Sequence, residues 1–200
     1  MKTKIFVSLI YIIICIPASA QEWELSRDQE NIKVYKGKSE SSKFKIIKVE
    51  AELNGSLKGL IDILMDVSNN KNWVYHTKES HLVRKINENE LLYYAETYLP
   101  WPFSNRDMVI RMHFELDSSN NILKVKATGE PDAIGNVQGK IRIPKFNGSW
   151  MVTYNGVNKI KIIYLLEVDP GGNVPASISN LFVTRGPFET FHNLSKLLNK

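Results

Sequence analysis

The sequence predicts an α+β fold that combines a curved antiparallel β-sheet with one long carboxy-terminal helix. Between residues 32 and 168, short apolar segments alternate with Asn, Gly, Asp and Pro, a pattern that is typical of strands joined by turns. After residue 175 the apolar residues recur every three or four positions, as in an amphipathic helix. No connection between the strands is long enough for repeated parallel crossovers, so we expect antiparallel pairing.

The first twenty residues have the three parts of a secretory signal peptide. Lys2 and Lys4 precede an apolar run from Ile5 to Ile16, and Ala18-Ser19-Ala20 is a small-residue cleavage site. The apolar run is shorter than the roughly 20 residues that a membrane-spanning helix needs. We therefore expect a signal peptide over residues 1–20 and export to the periplasm or the exterior.

The remaining residues, 21–200, suit one domain that needs no covalent cross-link. Cleavage near Ala20 removes Cys15, the only cysteine of the chain, which excludes disulfides, thiolate metal sites and a cysteine nucleophile. It also removes two lysines and leaves 24 basic and 21 acidic residues, a net charge of +3. The lysines alternate with apolar residues, so we interpret them as solvated strand faces, with attraction to anionic lipid headgroups as the alternative.

The expected elements follow one another with short connections. A helix capped by Asn54 or Ser56 runs to about Val67, because apolar residues recur there at helical spacing. Trp73-Val74-Tyr75 is expected in a short helical turn. Strands are predicted over residues 32–36, 44–53, 81–86, 91–99, 108–116, 122–128, 140–143, 149–154 and 159–168.

The carboxy-terminal segment begins with a break and continues as an apolar stripe. Asp169-Pro170-Gly171-Gly172 ends the strands, and Pro175 suits the first residue of a helix. Gly186-Pro187 interrupts this helix, but the stripe keeps its phase across the pair, so we expect a kink. The stripe consists of Ile178, Leu181, Phe182, Arg185, Phe188, Phe191, Leu194 and Leu198.

The sequence has few catalytic signals. Its four histidines lack metal-ligand spacing, and neither a Gly-x-Ser-x-Gly elbow nor a Gly-rich phosphate loop is present. We therefore predict no catalytic residue, no metal site and no cofactor.

The most distinctive segment runs from Tyr93 to Val109 and contains Leu99-Pro100-Trp101-Pro102-Phe103-Ser104-Asn105-Arg106-Asp107. Its two prolines place Trp101 and Phe103 in an extended loop, as a plug of the core or as a lid over a cavity. The segment resembles the central motif of the START family, the steroidogenic-acute-regulatory-related lipid-transfer domains, and is closest to its phosphatidylcholine-transfer branch. Val174-Pro175-Ala176 and Gly186-Pro187 are similar to the family's final helix.

The resemblance implies a helix-grip fold with an internal hydrophobic tunnel for one lipid, gated in part by the loop from Trp101 to Phe103. The expected function is non-catalytic binding and carriage or presentation of a phospholipid or sterol-like molecule. The expected partners are the lipid and, transiently, a membrane surface; we expect a monomer that binds no nucleic acid.

Two other functions remain open. Related helix-grip proteins include cyclases and hydrolases, and Glu96, Tyr94 and Tyr98 could serve such an enzyme as acid-base groups. A protein-interaction module that uses the exposed loop would instead have an empty, collapsed tunnel.

One departure from the family concerns a buried ion pair. Many members have an arginine six residues after the arginine of the Arg-Asp pair, but Met112 occupies that position here. Glu96 is then left to pair with Arg106 or to point to solvent, and Arg185 either selects the lipid's polar group or reaches to water. The predicted ligand-binding residues are Trp73, Glu96, Tyr98, Trp101, Phe103, Met108, Ile110, Met112, Leu181, Phe182, Arg185 and Phe188.

Overall fold

The computed structural model describes residues 22–39, 44–156, 158–172 and 181–199. Within them, ten strands form one sheet in the order β1-β2-β3-β10-β9-β7-β6-β5-β4, with β8 paired to β6. The strands are β1 (Trp23–Gln29), β2 (Ile32–Lys38), β3 (Lys45–Asn54), β4 (Thr77–Asn87), β5 (Glu90–Thr97), β6 (Asn105–Asp117), β7 (Ile122–Gly129), β8 (Lys140–Arg142), β9 (Lys145–Tyr154) and β10 (Lys159–Asp169).

The neighbouring strands along this order pair antiparallel, as the spacing of the segments predicts. The short strand β8 is an exception, because it pairs parallel with β6 from Asn105 to Asp107. Strand β7 covers β6 only from Ile110 onward, so the first residues of β6 have a free edge. Residues 130–139 carry the chain back to that edge, where β8 runs in the same direction as β6.

Two helical regions cover one face of the sheet. Helix α1 spans Leu57–Met65, and the Ser56 Oγ caps it by accepting a hydrogen bond from Gly59 N at 3.0 Å. A 3₁₀ helix, Val67–Asn72, follows it. Helix α2 spans Gly186–Leu198.

The final helix changes type where the sequence predicts a kink. A π-helical turn over Leu181–Arg185 leads directly into α2, whose first turn contains Pro187. A proline in the first turn costs no hydrogen bond, because its missing N–H has no partner within the helix there. The start expected at Pro175 lies outside the described residues.

One apolar core joins α1 and α2 to the inner face of the sheet. Phe191 and Leu194 of α2 are fully buried, and the Phe191 ring stacks on Trp150 of β9 with 5.2 Å between centroids. Leu60 and Leu64 of α1 belong to the same cluster. This arrangement confirms the predicted α+β fold, a sheet packed around the carboxy-terminal helix. Among the described residues, no helix is both long and apolar enough to cross a bilayer.

Candidate functional site

A cavity of about 340 Å³ lies between the inner face of the sheet and the final helix. Alternate residues of β5 and β6 line it, because every second side chain of a strand points to the same face. From β5 these are Tyr93, Ala95 and Thr97, and from β6 they are Arg106, Met108, Ile110 and Met112. The part of the wall formed by β5 and β6 is therefore mostly apolar, with one charged group, Arg106, at its end.

The turn after the 3₁₀ helix closes another side of the cavity. Trp73, Val74 and Tyr75 line it, and hydrogen bonds attach this turn to α2. The Tyr75 N–H donates to Thr190 Oγ1 at 3.1 Å, and Asn193 Nδ2 donates to the Trp73 carbonyl oxygen at 3.2 Å. These bonds fix Trp73 against the final helix.

Two buried polar atoms at the cavity have no hydrogen-bond partner among the described residues. They are Asn70 Oδ1 and Trp73 Nε1, whose residues are 6% and 4% exposed and both line the cavity. The Asn70 amide makes one long contact, from Nδ2 to Ser80 Oγ at 3.5 Å. Unpaired buried polar atoms are costly in an empty protein, so this wall can still accept polar contacts from a ligand.

Arg106 is the only Asp, Glu, His, Lys or Arg with a buried side chain among the described residues that line the cavity; it is 3% exposed. Its guanidinium donates to three backbone carbonyls: Ser104 at 2.6 Å, Pro170 at 3.3 Å and Gly171 at 3.4 Å. Burial lowers the pKa of this guanidinium. The side chain remains a cation, since arginine does not deprotonate in proteins.

Glu96 lies on the opposite, outer face of the sheet. It is 2% exposed, and its carboxylate accepts hydrogen bonds from Lys140 Nζ at 2.5 Å, Asn105 Nδ2 at 2.5 Å and Lys78 Nζ at 3.2 Å. Burial acts to raise the pKa of Glu96, but these hydrogen bonds outweigh it and lower the pKa. The same bond to Glu96 raises the pKa of Lys140.

The expected alternatives for Glu96, an ion pair with Arg106 or exposure to solvent, are both wrong. Glu96 is paired with Asp107 across β5 and β6, and Arg106 is paired with Thr97. Arg106 and Glu96 therefore point to opposite faces. The partner of Glu96 is Lys140 of β8, which reaches the outer face because β8 runs beside the start of β6.

The outer face holds a second buried ion pair next to this one. Arg142 donates to both carboxylate oxygens of Asp107, at 3.1 and 2.9 Å, in a bidentate arrangement. Asp107 is 1% exposed. On this face both buried carboxylates thus have a cationic partner.

The predicted ligand-binding residues fall into three groups. Trp73, Met108, Ile110 and Met112 line the cavity. Leu181 and Phe182 have side chains outside the described part of the chain. The others are not lining residues: Glu96, Tyr98, Trp101, Phe103, Arg185 and Phe188.

This third group differs in its surroundings. Trp101 is 90% exposed on the loop between β5 and β6, with Tyr98 about half exposed and Phe103 half-buried. Arg185 is exposed, with its guanidinium carbon 5.8 Å from the Tyr75 ring. Phe188 is buried beneath the guanidinium of Arg27, 3.4 Å from the ring centroid.

Sequence reasoning missed Arg106 as a cavity residue. The alternation that placed Met108, Ile110 and Met112 on one face of β6 would have found it if extended by two residues toward the start of the strand. No group of three metal-ligating side chains occurs within the ranges that the structure describes.

Comparison with known proteins agrees with this architecture. The START domain family model matches residues 16–200. The phosphatidylcholine transfer protein of Bos taurus is 28% identical over 173 residues, which cover 84% of this chain and 80% of the bovine protein.

Two solved structures have the same fold. The STAR-related lipid transfer protein fragment from Xanthomonas axonopodis has a TM-score of 0.81 and 28% identity, and the match covers 89% of this chain and 99% of that one. Human StAR-related lipid transfer protein 5 has a TM-score of 0.77 over 88% of this chain and 86% of its own, at an identity of 16% that supports the fold alone. Because the family model matches nearly the whole chain, the protein belongs to the START domain family.

Proposed function

We propose that the protein binds one lipid molecule in the cavity and carries or presents it without changing it chemically. The observation that carries this proposal is the apolar cavity of about 340 Å³ between the sheet and the final helix. Its volume lies within the roughly 300–1,000 Å³ of small-molecule sites. Family membership and the similarity to a phosphatidylcholine transfer protein support the same function.

The wall suits an acyl chain or a sterol-like body. Ile110 and Met112 of β6, Trp150 of β9 and Phe191 of α2 present hydrocarbon or aromatic surface to the cavity. Each buried methylene contributes about 0.8 kcal/mol, so a chain of about sixteen carbons gains on the order of 12 kcal/mol. A mostly apolar cavity can therefore compete with a bilayer for such a molecule.

The apolar side chains that dominate the cavity wall support the binding of a lipid. The described lining residues of the cavity include no Asp, Glu, His, Cys or Ser. The acid-base groups of the enzyme alternative are placed elsewhere: Glu96 lies on the outer face with a lowered pKa, and Tyr98 is half exposed on the loop. Tyr94 is also on the outer face, and burial raises its pKa.

We extend the proposal in two ways: the amino-terminal sequence supports export, and the loop between β5 and β6 supports contact with a membrane. A signal peptide over residues 1–20 would place the mature protein in the periplasm or outside the cell, where a lipid must cross water. Trp101, 90% exposed at the loop, is the type of side chain that favours the membrane–water interface. We propose that a monomer touches the membrane through this loop while the lipid enters or leaves.

The test is native mass spectrometry of mature protein purified without detergent, with extraction and identification of the bound molecule. The expected result is one lipid per chain. Two matched variants test the site. Ala127→Trp places a large side chain in the cavity from a lining position on β7, and Met151→Trp adds the same side chain at a half-exposed position on β9. Only Ala127→Trp should lose the lipid. Delipidated wild type that takes up no lipid from vesicles at any salt concentration contradicts the proposal.

A further inference from the structure

We propose that the cavity selects lipids with an anionic group, a phosphate or a carboxylate, and that Arg106 binds this group. This inference rests on the proposed lipid binding and adds the chemical class of the ligand. It begins with the position of Arg106, which lines the cavity and is 3% exposed.

Arg106 lacks a compensating negative charge. In the part of the chain that the structure describes, no carboxylate lies within 4.0 Å of its guanidinium, although such pairs form around Lys140 and Arg142. The acidic residues beside it on the same two strands, Glu96 and Asp107, are engaged on the opposite face, and the Asp169 carboxylate accepts a hydrogen bond from the Gly171 N–H. A buried charge without a partner is strongly unfavourable, and a ligand anion would remove this cost.

The guanidinium also has free hydrogen-bonding capacity. It has five N–H donors, and its three contacts with the described residues go to the neutral carbonyl oxygens of Ser104, Pro170 and Gly171. Two of these contacts are long, at 3.3 and 3.4 Å. The remaining donors can bind the two oxygens of a phosphate or carboxylate, an arrangement for which arginine is well suited.

A purely structural role would explain only part of this arrangement. The carbonyl contacts attach the Pro170-Gly171 turn at the end of β10 to the start of β6, and neutral donors could do the same. They do not account for a full positive charge at the end of a wall that is otherwise mostly apolar. The charge is explained by an anionic ligand group.

The experiment offers delipidated mature protein two pairs of lipids that differ only in the anionic group. One pair is dioleoylphosphatidic acid and dioleoylglycerol, and the other is oleic acid and oleyl alcohol. Each pair is mixed in equal amounts at about pH 8, where both acids are ionised in water, and the bound species are counted by native mass spectrometry. We expect at least about a tenfold preference for the acidic member of one pair, the ratio that charge-assisted hydrogen bonds typically provide. The preferred pair identifies phosphate or carboxylate.

Two variants connect the preference to this residue. Arg106→Met should remove it, whereas Arg111→Met, the same change on the outer face of the same strand, should retain it. Arg106→Lys keeps the positive charge but lacks the planar, two-pronged guanidinium, so its preference for the acidic lipid should be smaller than that of wild type. If Arg106→Met does not fold, Arg106→Lys takes its place in the test.

Three results contradict the inference. The first is wild type that binds both members of each pair equally or prefers the neutral ones, and the second is an Arg106→Met protein that keeps the acidic preference. In either of these two cases the protein still binds lipid, so the proposed function stands and only the role of Arg106 is refuted. The third is wild type that takes up none of the four lipids, which overturns the proposed function and this inference with it.

Discussion

The Glu96 carboxylate allows the energetics of the outer face to be tested apart from ligand binding. It is 2% exposed and is bonded to Lys140, whose side chain is 17% exposed, and to Lys78, which is more than half exposed. In Glu96→Gln the Lys140 cation loses its charge partner in a poorly solvated position. Breaking a buried pair from one side costs about 3–5 kcal/mol. Because both lysines retain some solvent contact, we expect the lower value, about 3 kcal/mol, or a melting temperature lower by about 6–12 °C.

The measurement is equilibrium urea unfolding of delipidated wild type and Glu96→Gln. Glu79→Gln is the control, because Glu79 lies opposite Glu96 on β4 with a half-exposed side chain; it should change the free energy of unfolding by less than about 0.5 kcal/mol. The double variant Glu96→Gln, Lys140→Met removes both charges and should recover most of the lost stability. A single variant within about 1 kcal/mol of wild type, or a double variant as unstable as the single one, refutes the reasoning.

The pH dependence of the same pair gives a second check. The pKa of Glu96 is lower in the folded protein than in the unfolded chain, where it is about 4.3. Its ionised form therefore stabilises the fold above that pH, and this contribution is lost as the pH falls through the folded-state pKa. The stability difference between wild type and Glu96→Gln should narrow as the pH falls below the unfolded-state pKa of about 4.3. A difference that stays constant over this range contradicts the assignment of a lowered pKa.

The remaining predictions concern the cavity, the loop and the amino terminus. Asn70→Leu removes the unpaired Oδ1 together with the long contact from Nδ2 to Ser80 Oγ, at nearly constant volume, and should stabilise the delipidated protein by about 1 kcal/mol, measured by urea unfolding; a loss of stability contradicts this. Trp101→Ser should slow lipid transfer between vesicles without changing the amount of lipid bound, measured with a fluorescent lipid; an unchanged rate argues against membrane contact through this loop. The intact mass of the exported protein should correspond to a chain that begins at Gln21, and a chain that retains residues 1–20 contradicts signal cleavage.

The predictable part of the fold was encoded in short-range patterns. Alternating polarity identified nearly all the strands, and the break at Pro170 followed by a three- and four-residue spacing identified the final helix. Strand β1 escaped detection because the alternation of apolar residues in Trp23–Gln29 ends after Trp23 and Leu25; Leu25 is half exposed, and the strand lies at the sheet edge. Backbone pairing with β2 stabilises this strand, and the pattern of its side chains does not reveal that pairing.

The partners of Glu96 and Arg106 could not be predicted from local sequence patterns. Strand alternation separates them only once the register of β5 and β6 is known, and here Glu96 faces Asp107 rather than Arg106. The partner of Glu96 is 44 residues away, on a three-residue strand that pairs in the parallel sense. Charge, spacing and hydropathy do not specify such a pairing, so the sequence left the ion pair open.

We infer that the two faces of strands β5 and β6 serve different purposes: the outer face contributes to stability, and the inner face determines which lipid is bound. On the outer face, Glu96 and Asp107 each have a cation, so the charges there are matched within the protein and contribute to stability. On the inner face, the partners of Arg106 within the described residues are neutral carbonyls, so under the proposal above its charge is matched when a ligand supplies the anion. Because the side chains alternate, a substitution on one face need not disturb the other. Outer-face variants should change the unfolding free energy and leave the choice of lipid unchanged, whereas Arg106 variants should alter that choice.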